Sequence, residues 1–160
     1  MDSSNVLFSV AGIAIAVVGF AGIFFAVRSG AASHTEMENF RLRIMVESGV
    51  AAVFFSLAPA LLLQFELQES TVWALSSGVL GLTILTYVVG ALRRQKKAFG
   101  NYMPPEGRTN DLILTALGIS LSVVLLVSSS GLLPRDFAIY LLGLFYWLIV
   151  SIKVFFRIIT

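Results

Sequence analysis

"ENFRLRIMVESGVAAVFF", residues 38–55, decides the class of fold. Charges at Glu38, Arg41, Arg43 and Glu47 run with no turn signal into Ser48 to Phe65, a stretch that carries none. Helical spacing places Asn39, Arg43 and Glu47 on one face, with Arg43 and Glu47 able to pair at i, i+4. Met37, Phe40, Ile44 and Met45 supply apolar contact between them. The pattern reads as a helix leaving water for lipid, its charges at headgroup depth. The sharper alternative is an ionic site of Arg43 and Glu47 at the cytoplasmic mouth of a helix bundle, with Glu47 deepest.

The rest of the chain repeats the pattern. Of 160 residues, 58% are hydrophobic and 12% charged, and mean hydropathy is +0.91. That charged share is about half of what a soluble domain carries. Uncharged runs cover Asn5 to Val27, Ser48 to Phe65, Ser70 to Leu92, Leu112 to Pro134 and Phe137 to Ile152. A bilayer core of about 30 Å needs roughly 20 apolar residues as helix. Four runs meet or nearly meet that length, and the last reaches it if Lys153 and Arg157 snorkel. The expectation is an all-α, polytopic integral membrane protein, residues 1–160 forming a single transmembrane domain of five helices at about 5–28, 35–67, 70–94, 110–131 and 136–158. The first run lacks a basic start and is read as a retained helix.

Charge sets the threading. Arg28, Arg41 and Arg43 lie in the first connecting segment; Arg93, Arg94, Lys96, Lys97 and Arg108 in the third; Lys153 and Arg157 at the end. Only Arg135 falls in the alternate set. Positive residues favour the cytoplasmic side. The N-terminus is therefore expected outside and the C-terminus in the cytoplasm, as an odd number of helices requires. Thr35 with Glu38 fits a capping box, so helix two is expected to extend into the cytoplasmic interface, and Pro59 to kink it. Trp73 is read as an interfacial aromatic, Glu66 and Glu69 as an acidic outer rim. In "AFGNYMPPEGRTN", residues 98–110, the Pro-Pro pair and the glycines argue against regular structure, and Asn110 or Asp111 is expected to cap helix four. Gly131 and Pro134 break the chain before Asp136.

Chemistry-bearing constellations are sparse. There is no cysteine, which removes thiolate metal sites and cysteine nucleophiles. His34 is the sole histidine, with Glu36 and Glu38 beside it too few for a metal site. No serine has a histidine and carboxylate at a common depth, and no phosphate loop is present. The sequence pI near 9.2 reflects basic residues at membrane boundaries, not a nucleic-acid module. Neither cofactor nor metal is expected.

Three patterns remain. Gly12, Gly19 and Gly22, with Ala16 and Ala26, form small-residue pairs on helix one, and Gly78 and Gly81 on helix three; such residues let helices approach closely in lipid. Hydroxyls recur at Ser76, Thr83 and Tyr87 on helix three and at Thr115 and Ser122 on helix four, a possible polar path. Arg93, Arg94, Lys96 and Lys97 form a topology anchor able to contact anionic lipid. The expected function is non-enzymatic association, as a homo-oligomer or as a subunit of a membrane complex. The alternative is a homo-oligomeric channel or small-solute permease lined by the hydroxyls of helices three and four. In size and composition the chain looks like small bacterial inner-membrane proteins, so the expected place is the inner (plasma) membrane, multi-pass.

Overall fold

The computed structural model describes residues 3–29, 36–65, 67–99, 105–133 and 136–159. It is all-helical: α1 Ser3–Ser29, α2 Glu36–Leu63, α3 Glu69–Phe99, α4 Pro105–Ser130 and α5 Phe137–Ile159. All five helices are long and apolar enough to cross a membrane. In lipid a helix satisfies its own backbone, which is why uncharged runs of this length adopt one.

The helix ends follow local chemistry. α2 runs through the buried Pro59 and closes in tight turns, Gln64 N–H donating to the Leu61 carbonyl (3.1 Å) and Phe65 N–H to that of Leu62 (3.2 Å). It stops at Leu63, short of the expected 67, where the N–H groups of Gln64 and Phe65 bond carbonyls three residues back in place of the helical four. The Gln68 carbonyl opens α3 by accepting from Thr71 (2.8 Å) and Val72 (3.1 Å). Gly131 ends α4 at φ 88°, the left-handed conformation that favours glycine, with its N–H on the Ser128 carbonyl (3.1 Å). Asp136 precedes α5, its carbonyl accepting from Tyr140 N–H (3.4 Å).

One expectation is overturned at the third connection. α3 continues to Phe99 and α4 already starts at Pro105, not at Asn110 or Asp111. Proline in the first helical turn loses no hydrogen bond, and its fixed φ suits a helix. Arg, Gln, Lys and Ala after Leu92 are good helix formers. Thr35, His34 and the side chains of Glu36, Glu38 and Asn39 lie outside the described residues, as does Glu66.

The chain divides into two compact units, Met1–Leu67 with Leu144–Thr160, and Gln68–Gly143. In the first, α1 and α2 pack antiparallel: Val18 meets Gly49, and Ala21 meets Met45. The packed stripe of α1 is Leu7, Ala11, Ala14, Val18 and Ala21, at alternating spacings of four and three. That of α2 runs through Met45, Ser48, Gly49, Ala52, Phe55, Ser56 and Pro59, all buried. Ser151 of α5 donates to the Met45 carbonyl at 3.3 Å, and Val154 and Phe155 pack on the Ala21–Met45 contact.

In the second unit α3 and α4 run antiparallel. A β-carbon on Gly78 would sit 3.1 Å from Ser129 Oγ, and one on Gly81 3.0 Å from Leu125 Cβ and 3.1 Å from the Ser122 carbonyl. The start of α5 closes the unit. Phe137 and Tyr140 stack on Trp73 with ring centroids 5.3 and 5.8 Å apart, and Gly143 sits against Leu80 and Leu125. Trp73 is buried among these rings, one turn into the span that begins at Glu69, and its indole N–H donates to Glu69 Oε1 at 3.2 Å.

Candidate functional site

The structure forms the ion pair at the head of α2. Arg43 Nε donates to Glu47 Oε1 at 2.7 Å, with the side chains 67% and 32% exposed. Arg43 and Glu47 belong to the stripe Arg43, Glu47, Val50, Phe54, Leu57, Leu61, which contains no buried residue and lies opposite the packed stripe through Met45 and Ala52. The pair therefore faces out from α2 and is not turned toward α1. Arg41, one turn before Met45, continues the packed side and is half-buried.

The helix-one glycines do not do the packing expected of them. A β-carbon at Gly12, Gly19 or Gly22 would find nothing within 4 Å, and all three are exposed. Ala11, Ala14 and Ala21 make the close approach instead, because alanine on the α2-facing stripe already suffices. The small-residue ridge that sequence reading missed is Ser48, Ala52 and Ser56 on α2, each fully buried, with Gly49 beside it. Its signal was present as small residues every fourth position, hidden behind the charged run that precedes it. Gly78 and Gly81 lie against α4.

The hydroxyls divide by use. Thr83 donates to the Val79 carbonyl (2.7 Å), Thr86 to that of Thr83 (3.0 Å), Ser120 to that of Leu117 (3.0 Å) and Ser122 to that of Ile119 (2.8 Å). Thr115, Tyr87 and Thr83 are half-buried; Ser76 and Ser122 are buried. On α3, Ser76, Thr83 and Tyr87 fall on the opposite side of the helix from Gly78 and Gly81, the residues that meet α4. The α4 stripe of Ser122 therefore faces glycines, and the two polar stripes do not line a common path between α3 and α4. Helical periodicity alone could not reveal this, since it fixes a face but not its neighbour. Ser76 Oγ and Ser77 Oγ, 6% and 1% exposed by residue, have no hydrogen-bond partner among the described residues.

Arg93 and Arg94 are exposed on α3, and Lys96 and Lys97 continue the same helix with side chains outside the described residues. Among the described residues no group of three or more His, Cys, Asp or Glu could hold a metal ion. No family model, curated protein or solved structure matches the chain.

Proposed function

We propose that this multi-pass membrane protein is non-enzymatic and acts by association within the bilayer, through the outer face of α1. The observation that carries the reading is a second stripe on that helix: Asn5, Ser9, Gly12, Ala16, Gly19, Ile23 and Ala26 repeat at spacings of four and three, and every one is exposed. Five of the seven are Ser, Gly or Ala. Small residues spread along a whole face leave the backbone open to a neighbouring helix, where dispersion packing drives association in lipid. The other face of α1 is already occupied by α2. A homo-oligomer fits this face, and so does a subunit role in a membrane complex.

The orientation proposed is N-terminus outside and C-terminus cytoplasmic, in the inner or plasma membrane. Support comes from where charges lie along the helices. α1 and α5 carry theirs at the C-terminal end, α2 and α4 at the N-terminal end, and α3 at the C-terminal end except for Glu69. For serial crossings those ends share one side, and the basic excess makes it the cytoplasmic one. The channel or permease alternative draws less support, because Thr83, Thr86, Ser120 and Ser122 donate to carbonyls of their own helices.

The test is the assembly state in nanodiscs, read by mass, for the native chain and Gly19→Leu. Association through α1 predicts an assembly that Gly19→Leu dissociates into folded monomers. A native chain that is monomeric and acquires no membrane partner in cross-linking overturns the reading.

A further inference from the structure

The outward face of α3 changes character at one point. Leu75, Val79, Leu82, Thr86 and Val89 form an exposed stripe at spacings of four and three, which Arg93 continues. Trp73, Ser77, Leu80, Gly81 and Ile84 fill the opposite, buried half of the helix, where α4 and the start of α5 pack. At 100° per residue, Arg93, Arg94, Lys96 and Lys97 all register on the half that excludes those packed positions. The helix runs on to Phe99, seven residues past Leu92, or about 10 Å at ~1.5 Å per residue. The headgroup layer on one side of a bilayer is roughly 5–7 Å deep. α4, its antiparallel neighbour, likewise starts at Pro105, ahead of its uncharged run from Leu112. The apolar stripe thus ends at Val89 and the cationic half-face begins at Arg93, at the close of the uncharged run of α3.

We infer that the cationic end of α3, at Arg93, Arg94, Lys96 and Lys97, is a binding surface for anionic lipid headgroups of one leaflet. The partner is a lipid and not a soluble anion, because the same exposed face supplies the surface for the acyl chains, from Leu75 to Val89. Each basic residue near an anionic surface contributes about 1 kcal/mol, a factor of about five in occupancy. The inference rests on the membrane placement and sidedness proposed above, and its test reads that separately.

The full chain is reconstituted in nanodiscs of phosphatidylcholine with a minor share of phosphatidylglycerol, and lipids retained on the released protein are weighed by native mass spectrometry. Retention of phosphatidylglycerol above its share is expected. R93Q/R94Q/K96Q/K97Q should lower that excess at least about fivefold, while the charge-preserving R93K/R94K/K96R/K97R keeps it. R93Q/R94Q carries the test if the quadruple variant does not insert. Because the chain has no cysteine, single cysteines at Ser29 and Leu132, labelled in intact cells with a membrane-impermeant maleimide before extraction, report sidedness, so a failure of orientation is read apart from a failure of lipid binding. Equal retention of both lipids, or an excess unchanged in the glutamine variants, overturns the inference. So does displacement of the lipid by inorganic phosphate beyond that caused by chloride at equal ionic strength, which would reassign the surface to a free anion.

Discussion

Gly49 on α2 lies against Val18 on α1 so closely that a β-carbon at Gly49 would overlap Val18 Cγ2 and come within 3.4 Å of Ser151 Oγ. Val18 is β-branched and stiff about χ1, so it cannot swing aside. Gly49→Ala should destabilise the fold by about 1–3 kcal/mol, seen as a lower thermal midpoint in detergent. Gly19→Ala, with nothing within 4 Å of the added atom inside the chain, should not lower the midpoint of the monomer. Equal midpoints for the two variants would show that α1 and α2 do not meet at Gly49.

Leu125 is the second wedge. It is fully buried and touches the β-positions of both Gly81 and Gly143 at 3.0 Å. Leu125→Ala should cost about 2–5 kcal/mol, since glycine neighbours have no side chain with which to fill the cavity. Denaturant titration in mixed micelles measures it; a loss below about 1 kcal/mol would argue that α3, α4 and α5 pack differently.

Ser151 donates to the Met45 carbonyl, which also accepts from Ser48 at 3.0 Å. Ser151→Ala removes the link between α5 and α2 and should cost about 0.6 kcal/mol, the usual size of such a bond in a membrane protein. Ser48→Ala should cost less, because the bond it removes lies within its own helix. A double-mutant cycle separates the two contributions.

Ser77 is buried with an unpartnered hydroxyl. Removing a desolvated, unsatisfied polar group relieves a cost, so Ser77→Ala should be neutral or stabilising by about 1 kcal/mol. A clear fall in the thermal midpoint would reveal a partner for Ser77 in the membrane.

Arg43 and Glu47 face out from α2 as an exposed pair. Glu47→Gln and Arg43→Gln should each insert and melt like the native chain, since exposed pairs contribute little. A large loss for Glu47→Gln that the exchange of Arg43→Glu with Glu47→Arg restores would place the pair at a buried position.

Much of the architecture follows from sequence alone. Uncharged runs between charge clusters dictate five helices, because a bilayer-length apolar segment has no other way to satisfy its backbone. Gly131 and Asp136 mark their helix boundaries for equally local reasons, a left-handed φ and a capping position. Pro105 is ambiguous in the sequence because a proline breaks a helix interior but suits a first turn, and the residue type does not say which it occupies.

What only tertiary structure decided is which face of each helix meets which neighbour. α1 offers two stripes of small residues at the same spacing: the one containing Ala11, Ala14 and Ala21 is buried, and the one containing Gly12, Ala16 and Gly19 is exposed. α3 likewise turns Gly78 and Gly81 to α4 and leaves Ser76 and Tyr87 on another side. In lipid, apolar patterning cannot choose between such faces, because tails and neighbouring helices are equally apolar; the choice is made by shape. Gly49 against Val18 is that choice at its closest contact, and it exists only once two segments distant in sequence lie side by side.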